Sequence, residues 1–342
     1  MHMADALLSP AVGIAMNAVS VAAIGISVAK IKKDEINEKF IPIMGVVGAV
    51  VFAAHMIDIT IPGTGSSGHI GGGILLAGLL GSIPAFLTMT VVLIIQCLFF
   101  ADGGLLALGS NIFVLGVIPC LIIYPLIFKP ILKKGINYKH LTAAAAASVV
   151  TGLQLGAFTV VLLTLLSGIT ALPFGTFVSL MLPIHLVIGI FEGIITASIL
   201  CFIYKMRPEI INYANSGEHL RGVSTKTIII FFAAAAIVIG CVLSLFASEY
   251  PDGLEWSIER TTERVFGVET KIETEGAIFE VAEDIQENTA FLPDYAFASD
   301  PDNAAGVSLS GIIGAIITFV LAGMTGLIIT KIKKKKKVGI NA

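Results

Sequence analysis

Ile61-Pro62-Gly63-Thr64-Gly65-Ser66-Ser67-Gly68-His69-Ile70-Gly71-Gly72-Gly73 is a Gly/Ser/Thr stretch carrying one imidazole, set between two long apolar runs. Turn chemistry of this density marks a loop, and glycines let a backbone take positive φ and come close to a ligand. A lone histidine in such a loop is most often a solvated polar residue. The far end of the preceding apolar pair changes that weighting, because the chain begins Met1-His2. A free α-amine, the amide and imidazole of residue 2, and an imidazole brought over by the loop make four nitrogens. Four nitrogens in a plane suit nickel(II) or copper(II), and imidazole suits late first-row metals in general.

The flanks of the loop decide the fold class. Apolar runs of 18 or more residues recur along a chain that is 56% hydrophobic and 13% charged, the pattern of an all-α, polytopic membrane helical bundle. Cys97, Cys120, Cys201 and Cys241 lie scattered inside apolar runs and read as small buried residues, neither disulfides nor thiolate ligands. The first apolar run has no basic segment before it, so it reads as a retained span and not a cleaved signal.

In chain order, residues 11–29 and 40–59 form a first pair of spans, the second delivering the glycine loop. Residues 70–83 are apolar, short and rich in glycine, which suits a short crossing packed among neighbouring helices. Pro84 opens a span to residue 100, followed by an outer loop over 101–111 and a return through 112–131. Residues 141–166 and 176–204 form another pair, and the polar stretch 205–226 is the best domain boundary. Spans over 227–247 and 307–330 flank a long polar loop, giving nine crossings, seven plus two.

Basic residues test that count. With the amino terminus outside, the inner segments 30–39, 129–139, 205–226 and 331–337 carry 4, 4, 4 and 6 Lys+Arg, which is 18 of the chain's 21. The other three, Arg260, Arg264 and Lys271, sit in the long outer loop, and long loops cross largely regardless of charge. A wrong count would scatter them on both sides. The expected topology therefore puts Met1, His2, His69 and the 101–111 loop on the outer face, where a nutrient arrives, with the carboxy terminus in the cytoplasm.

Four stretches carry a family resemblance. Met1-His2-Met3-Ala4-Asp5-Ala6-Leu7-Leu8-Ser9-Pro10 resembles the amino-terminal signature of the substrate-binding membrane subunits of energy-coupling-factor cobalt/nickel importers. The Ile61–Gly73 loop resembles their second signature, Gln96-Cys97-Leu98-Phe99-Phe100-Ala101-Asp102-Gly103-Gly104-Leu105 through Asn111 a third, and His185-Leu186-Val187-Ile188-Gly189-Ile190-Phe191-Glu192-Gly193 a fourth. Pro251-Asp252-Gly253-Leu254-Glu255-Trp256 is similar to the small two-span accessory subunit of such importers, here fused. The chain departs from the family's usual Pro and Gly at Ala4 and Ala6, and has His55 where Gln is commoner.

The resemblance implies a seven-helix substrate-binding fold over residues 1–206, a cytoplasmic linker over 207–226, and a two-span accessory segment over 227–342 with an acidic extracytoplasmic loop over 249–306. It implies a plasma-membrane importer whose cargo is nickel or cobalt, nickel slightly preferred, with Met1, His2 and His69 as metal ligands. Asp5, Asp102 and Asn111 tie outer loops together on this reading. His55 is either a partner orienting a ligand or a helix-end residue. His185 and Glu192 are seven apart and share one helix face; a carboxylate near mid-membrane is costly unless partnered. They form either a polar network supporting the site or a satisfied structural pair.

The outer loop over 249–306 holds 15 Asp+Glu against 3 Lys+Arg. Such a run is either solvated surface or a field that concentrates cations near the site. The chain has no GxxxxGK[ST] sequence, so ATP hydrolysis is expected in separate cytoplasmic ATPase subunits, with a transmembrane coupling subunit and the lipid bilayer as further partners and no nucleic acid. The small-residue face Ala143–Ala147, Gly152 and Gly156 suits docking of a partner or packing within this chain. Two rival functions stay open on sequence alone: an intramembrane zinc metalloenzyme built from His55, His69, His185 and Glu192, and an ion-coupled secondary metal transporter. The first is weakened by the lack of an HExxH pair, the second by the lack of paired repeats with broken helices.

Overall fold

The computed structural model describes residues 1–31, 40–170, 172–216, 225–267, 276–297, 299–300 and 303–338. Most of the expected inner segment 30–39, part of the linker, the loop over 268–275 and the side chains of Lys333 to Lys337 lie outside the described residues. The fold is an all-α, multi-spanning membrane bundle; among the described residues seven helices are long and apolar enough to cross a bilayer. Large apolar side chains such as Ile14, Val21, Leu166, Ile194 and Phe319 stand exposed around them, the arrangement of a lipid-facing wall.

Helix α1 (Pro10–Lys30) opens on a proline, whose missing N–H is one of those a helix start leaves unpaired in any case. Helix α2 (Ile41–His55) has only 15 residues, but 14 of them are buried. Helix α3 (Gly73–Leu80) is shorter still, and all eight of its residues are buried. A helix apolar all round belongs inside the protein. At 1.5 Å per residue α2 and α3 are about 22 and about 12 Å long, so they form the interior posts of the bundle. Gly81, at φ +81°, breaks the chain between α3 and α4 (Ser82–Phe100).

Helix α5 (Leu108–Leu132) carries Pro119 and Pro125 in its middle, where its turns widen to the π pattern. Prolines remove hydrogen bonds from the α ladder, so a wider turn loses little there. The paired α6 (Tyr138–Ser167) and α7 (Phe174–Met206) complete the amino-terminal unit. A short α8 (Pro208–Ser216) follows on the linker side. Gly152 and Gly156 of α6 are buried within this chain, while Ala143 and Ala147 are exposed.

The two apolar helices of the second unit, α9 (Thr225–Cys241) and α12 (Ala304–Val338), pack against the central α2. Glycines permit that approach: a Cβ on Gly45 would meet the Phe319 carbonyl oxygen at 2.6 Å. Between them in the chain, α10 (Gly253–Phe266) and α11 (Ala277–Thr289) pack on the amino-terminal unit.

The glycine stretch, expected as a loop, contains a two-stranded hairpin. Strand β1 (Asp58–Ile61) pairs antiparallel with β2 (Ser66–His69), placing Asp58 opposite His69. Gly63 and Gly65 take φ of +78° and +72° in the turn, conformations open to glycine without a Cβ clash. The second unit extends the ladder: Ser67 N–H donates to the Pro251 carbonyl at 2.8 Å, and Ser248 N–H to the Asp58 carbonyl at 2.8 Å. Strand periodicity over four residues is too short to have declared itself in a run dominated by Gly and Ser.

Candidate metal site

The amino terminus is threaded into the end of the bundle that carries the hairpin and is tied there. Met3 N–H donates to Asn111 Oδ1 at 2.7 Å, and Asn111 Nδ2 returns a bond to the Met3 carbonyl at 3.1 Å. Asp5 Oδ1 accepts from the Ala107 N–H at 2.8 Å. Burial lifts the Asp5 carboxyl above its ordinary value, partly offset by backbone N–H groups of residues 105–107. Met1 is buried, and Gly156 leaves room for its side chain: a Cβ there would lie 3.2 Å from Met1 Cε. Asp5 and Asn111 thus fix the strand of chain that delivers Met1 and His2.

That threading brings together residues far apart in sequence. The Met1 amine lies 2.6 Å from His69 Nε2. The His2 and His69 rings stack at 5.1 Å between centroids, 12° from parallel. His2 Nε2 and His69 Nδ1 are buried without hydrogen-bond partners, and His2 Nδ1 faces Asp102 Oδ1 at 3.1 Å. Asp102 is held in turn by Gln96 Nε2 at 3.2 Å and by the Tyr295 hydroxyl at 2.5 Å.

His55 stands 5.2 Å from His69 and 5.7 Å from His2, ring centre to ring centre. Its Nδ1 lies 3.1 Å from Gln96 Oε1 and its Nε2 3.1 Å from the Gly71 carbonyl; both partners are acceptors, so the neutral ring donates to one of them. It therefore braces the turn that follows His69. Glu192 does similar work from α7: Oε1 accepts from the Gly72 N–H at 3.2 Å, at the start of α3. His185 shares the face of Glu192 but not its partner. Its Nδ1 lies 2.8 Å from the Met181 carbonyl, while Nε2 is buried and unpartnered, facing the backbone at Gly253.

The largest surprise relative to the sequence is Asp252. Its Oδ2 lies 2.6 Å from the Met1 amine, so the second unit reaches into the site of the first. Asp252 and Glu255 form a capping box at the start of α10. The D-x-x-E spacing that signals such a box was visible in Asp252–Glu255, but it announces a helix start and says nothing about a contact with the chain terminus. Of the two residues that hold Asp102, Gln96 opened the third of the stretches that resemble the family, and Tyr295 carried no signal of its own.

Burial and neighbours set the charges here. Burial disfavours charge on the Met1 amine, but the Asp252 carboxylate, joined by Asp58 and Asp102, outweighs it and raises the amine above its usual value. Burial, then the Met1 ammonium and the neighbouring imidazoles, push His69 well below the usual histidine range. Asp252 and Asp102 would be raised by burial, yet the Met1 ammonium holds the first, and His2 the second, well below the carboxylate range. Burial, with Asp252 next, lifts Asp58 to about 7.

Outside these groups opens a cavity of about 980 Å³, lined among others by His2, Asp58, Asp102, Glu283, Glu287 and Asp294. Among the described residues no three His, Cys, Asp or Glu side chains gather in a way that would hold a metal by themselves. A ligand set of amine, amide and two imidazoles needs only two side chains.

Residues 2–210 match the family described as cobalt uptake substrate-specific transmembrane region, and residues 226–331 match the PDGLE domain. The chain belongs to the cobalt-uptake family, with a PDGLE domain fused to it. It is 30% identical over 328 residues to a putative fused nickel transport protein of Archaeoglobus fulgidus, covering 94% of this chain and 96% of that one. A putative metal transport protein of Haloquadratum walsbyi is 37% identical over 213 residues, 62% of this chain and 93% of its own. The crystal structure of a transition metal transporter superposes with a TM-score of 0.54 at 28% identity, covering 65% of this chain and all of that one. The cobalt-uptake family is a transporter family and not a catalytic fold.

Proposed function

We propose that this chain is the metal-capturing membrane component of an energy-coupling-factor importer for nickel or cobalt, with nickel the favoured cargo. The observation that carries the reading is the Met1 amine 2.6 Å from His69 Nε2, beside the His2 ring. A hydrated cation enters the acidic outer cavity, where the carboxylates raise its local concentration. It exchanges water for the Met1 amine, the His2 amide and imidazole, and His69. Amine and amide must each lose a proton, so binding is coupled to proton release. Consecutive donors on residues 1 and 2 close fused chelate rings, and the resulting plane favours nickel(II).

Asn111 and Asp5 hold the amino-terminal segment, and His55 and Glu192 brace the turn behind His69; Asp102 holds His2 through Nδ1, the ring nitrogen that closes a chelate with the residue-2 amide, so that contact opens as the metal enters. These roles agree with each residue's hydrogen bonds. The seven-plus-two arrangement follows if α2 and α3 count as short crossings, which places the amino terminus outside and the carboxy terminus in the cytoplasm of a plasma-membrane protein. Separate ATPase subunits and a transmembrane coupling subunit supply the energy for release inward.

The test is metal analysis of purified protein exposed to equal nickel, cobalt and zinc and then desalted. One nickel or cobalt per chain, nickel in excess, is the expected result. A dominant zinc content would contradict the reading.

A further inference from the structure

The Met1 amine has two neighbours at 2.6 Å, His69 Nε2 and Asp252 Oδ2. A metal treats the two contacts differently. The lone pairs of amine and imidazole both turn to the ion, so their mutual contact must open. An amine bound through its lone pair keeps two N–H groups, so the bond to Asp252 can persist.

Asp252 is built to hold a direction. Its Oδ1 accepts from the Leu254 and Glu255 N–H groups at 2.8 and 2.9 Å, which fixes the carboxylate on the start of α10 and leaves Oδ2 aimed at Met1. Its backbone bridges Ser67, in the strand that carries His69. Gly253 lets this segment come close, since a Cβ there would lie 2.6 Å from Ile188 Cδ1 and 3.0 Å from His185 Cε1. Cap, bridge and close approach bring three independent constraints to one oxygen.

We propose that Asp252 is a positioning residue for the Met1 amine, so that a carboxylate of the fused PDGLE domain orients a metal ligand of the other unit. This rests on the reading of the Met1 amine as a ligand. Hydrogen-bonding partners behind metal ligands are typically worth about 10–100-fold in metal affinity.

The test uses the full chain and nickel titrations of wild type, Asp252→Asn, Asp252→Ser, Glu255→Gln and His2→Ala. Asn and Ser both cap helices well, so α10 keeps its start. Asn that caps through its oxygen turns an NH₂ towards the amine, and Ser is too short to reach it. Both Asp252 variants should bind nickel about 10–100-fold more weakly, with a shifted ligand-field absorption at saturation and an unchanged melting temperature without metal. Glu255→Gln, which alters the cap but not the contact, should match wild type. Wild-type affinity in both Asp252 variants, with binding lost in His2→Ala, would overturn this proposal alone. Loss of binding only alongside a collapsed metal-free melting temperature in both variants would also overturn it, making Asp252 structural. Full binding by His2→Ala would instead overturn the reading of the site.

Discussion

The Met1 amine nitrogen and His69 Nε2 lie 2.6 Å apart, although 68 residues separate them in the chain. Two nitrogens about 2.0–2.1 Å from one metal, at the right angle of a square plane, would be about 2.8–3.0 Å apart. The pair therefore stands a few tenths of an ångström short of a ligand edge. His2 follows the amine directly, so the same anchor positions three of the four proposed donors.

His55 stands among the same imidazoles and separates ligand from neighbour. Because its two nitrogens lie against Gln96 Oε1 and the Gly71 carbonyl, His55→Gln is expected to keep nickel binding, while His69→Ala abolishes it. Equilibrium titration against a competing chelator measures both. Loss of binding in a well-folded His55→Gln protein would make His55 a ligand.

Glu192 is expected to act through the backbone. Gln can still accept from the Gly72 N–H, so Glu192→Gln should bind nickel and melt close to wild type. Glu192→Ala orphans that buried N–H and should cost about 1–3 kcal/mol of stability. Thermal unfolding of the metal-free proteins distinguishes the two, and equal melting of the Gln and Ala variants would remove this role.

Proton release is a third signature. The Met1 amine is raised by Asp252 against the opposing effect of burial, so near neutral pH it carries a proton that the metal must displace. His69 lies well below the usual histidine range, through burial and the neighbouring positive charge, and is already neutral. Affinity should therefore rise with pH through neutrality towards the amine's raised value and fall as the solution is acidified. Calorimetry in buffers of different ionisation enthalpy should read about two protons released per nickel, from amine and amide. Release of none would fit a site of neutral imidazoles alone.

Orientation is open to labelling. In a background with the four native cysteines replaced by alanine, a cysteine at the exposed Ser299 should react with an impermeant maleimide from outside intact cells, and one at the exposed Lys134 only after permeabilisation. The reverse pattern would invert the topology.

How much of this was legible beforehand depends on the range of the interaction. The membrane bundle showed in runs of apolar residues, a local signal, and the break between α3 and α4 showed in Pro84. The distribution of Lys and Arg is what assigns Met1, His2 and His69 to the outer face in the proposed topology. Asn111 and Asp5 were readable as residues that tie loops together, but their particular bonds to Met3 and Ala107 depend on loop paths that no periodicity encodes. Asp252 was hidden for the same reason, since it meets Met1 across the whole length of the fused chain. The hairpin at His69 was masked by glycines whose role is the turn and not the strand.

Few proteins would respond to the mildest change that tests the Met1 amine. One residue added before Met1 converts that amine to an amide and displaces the chelate, yet adds nothing to the apolar helices. Nickel binding by the purified, correctly inserted protein should then be lost as thoroughly as in His2→Ala, while a tag after Ala342 leaves it intact. Wild-type nickel affinity in the extended protein would contradict the four-nitrogen site.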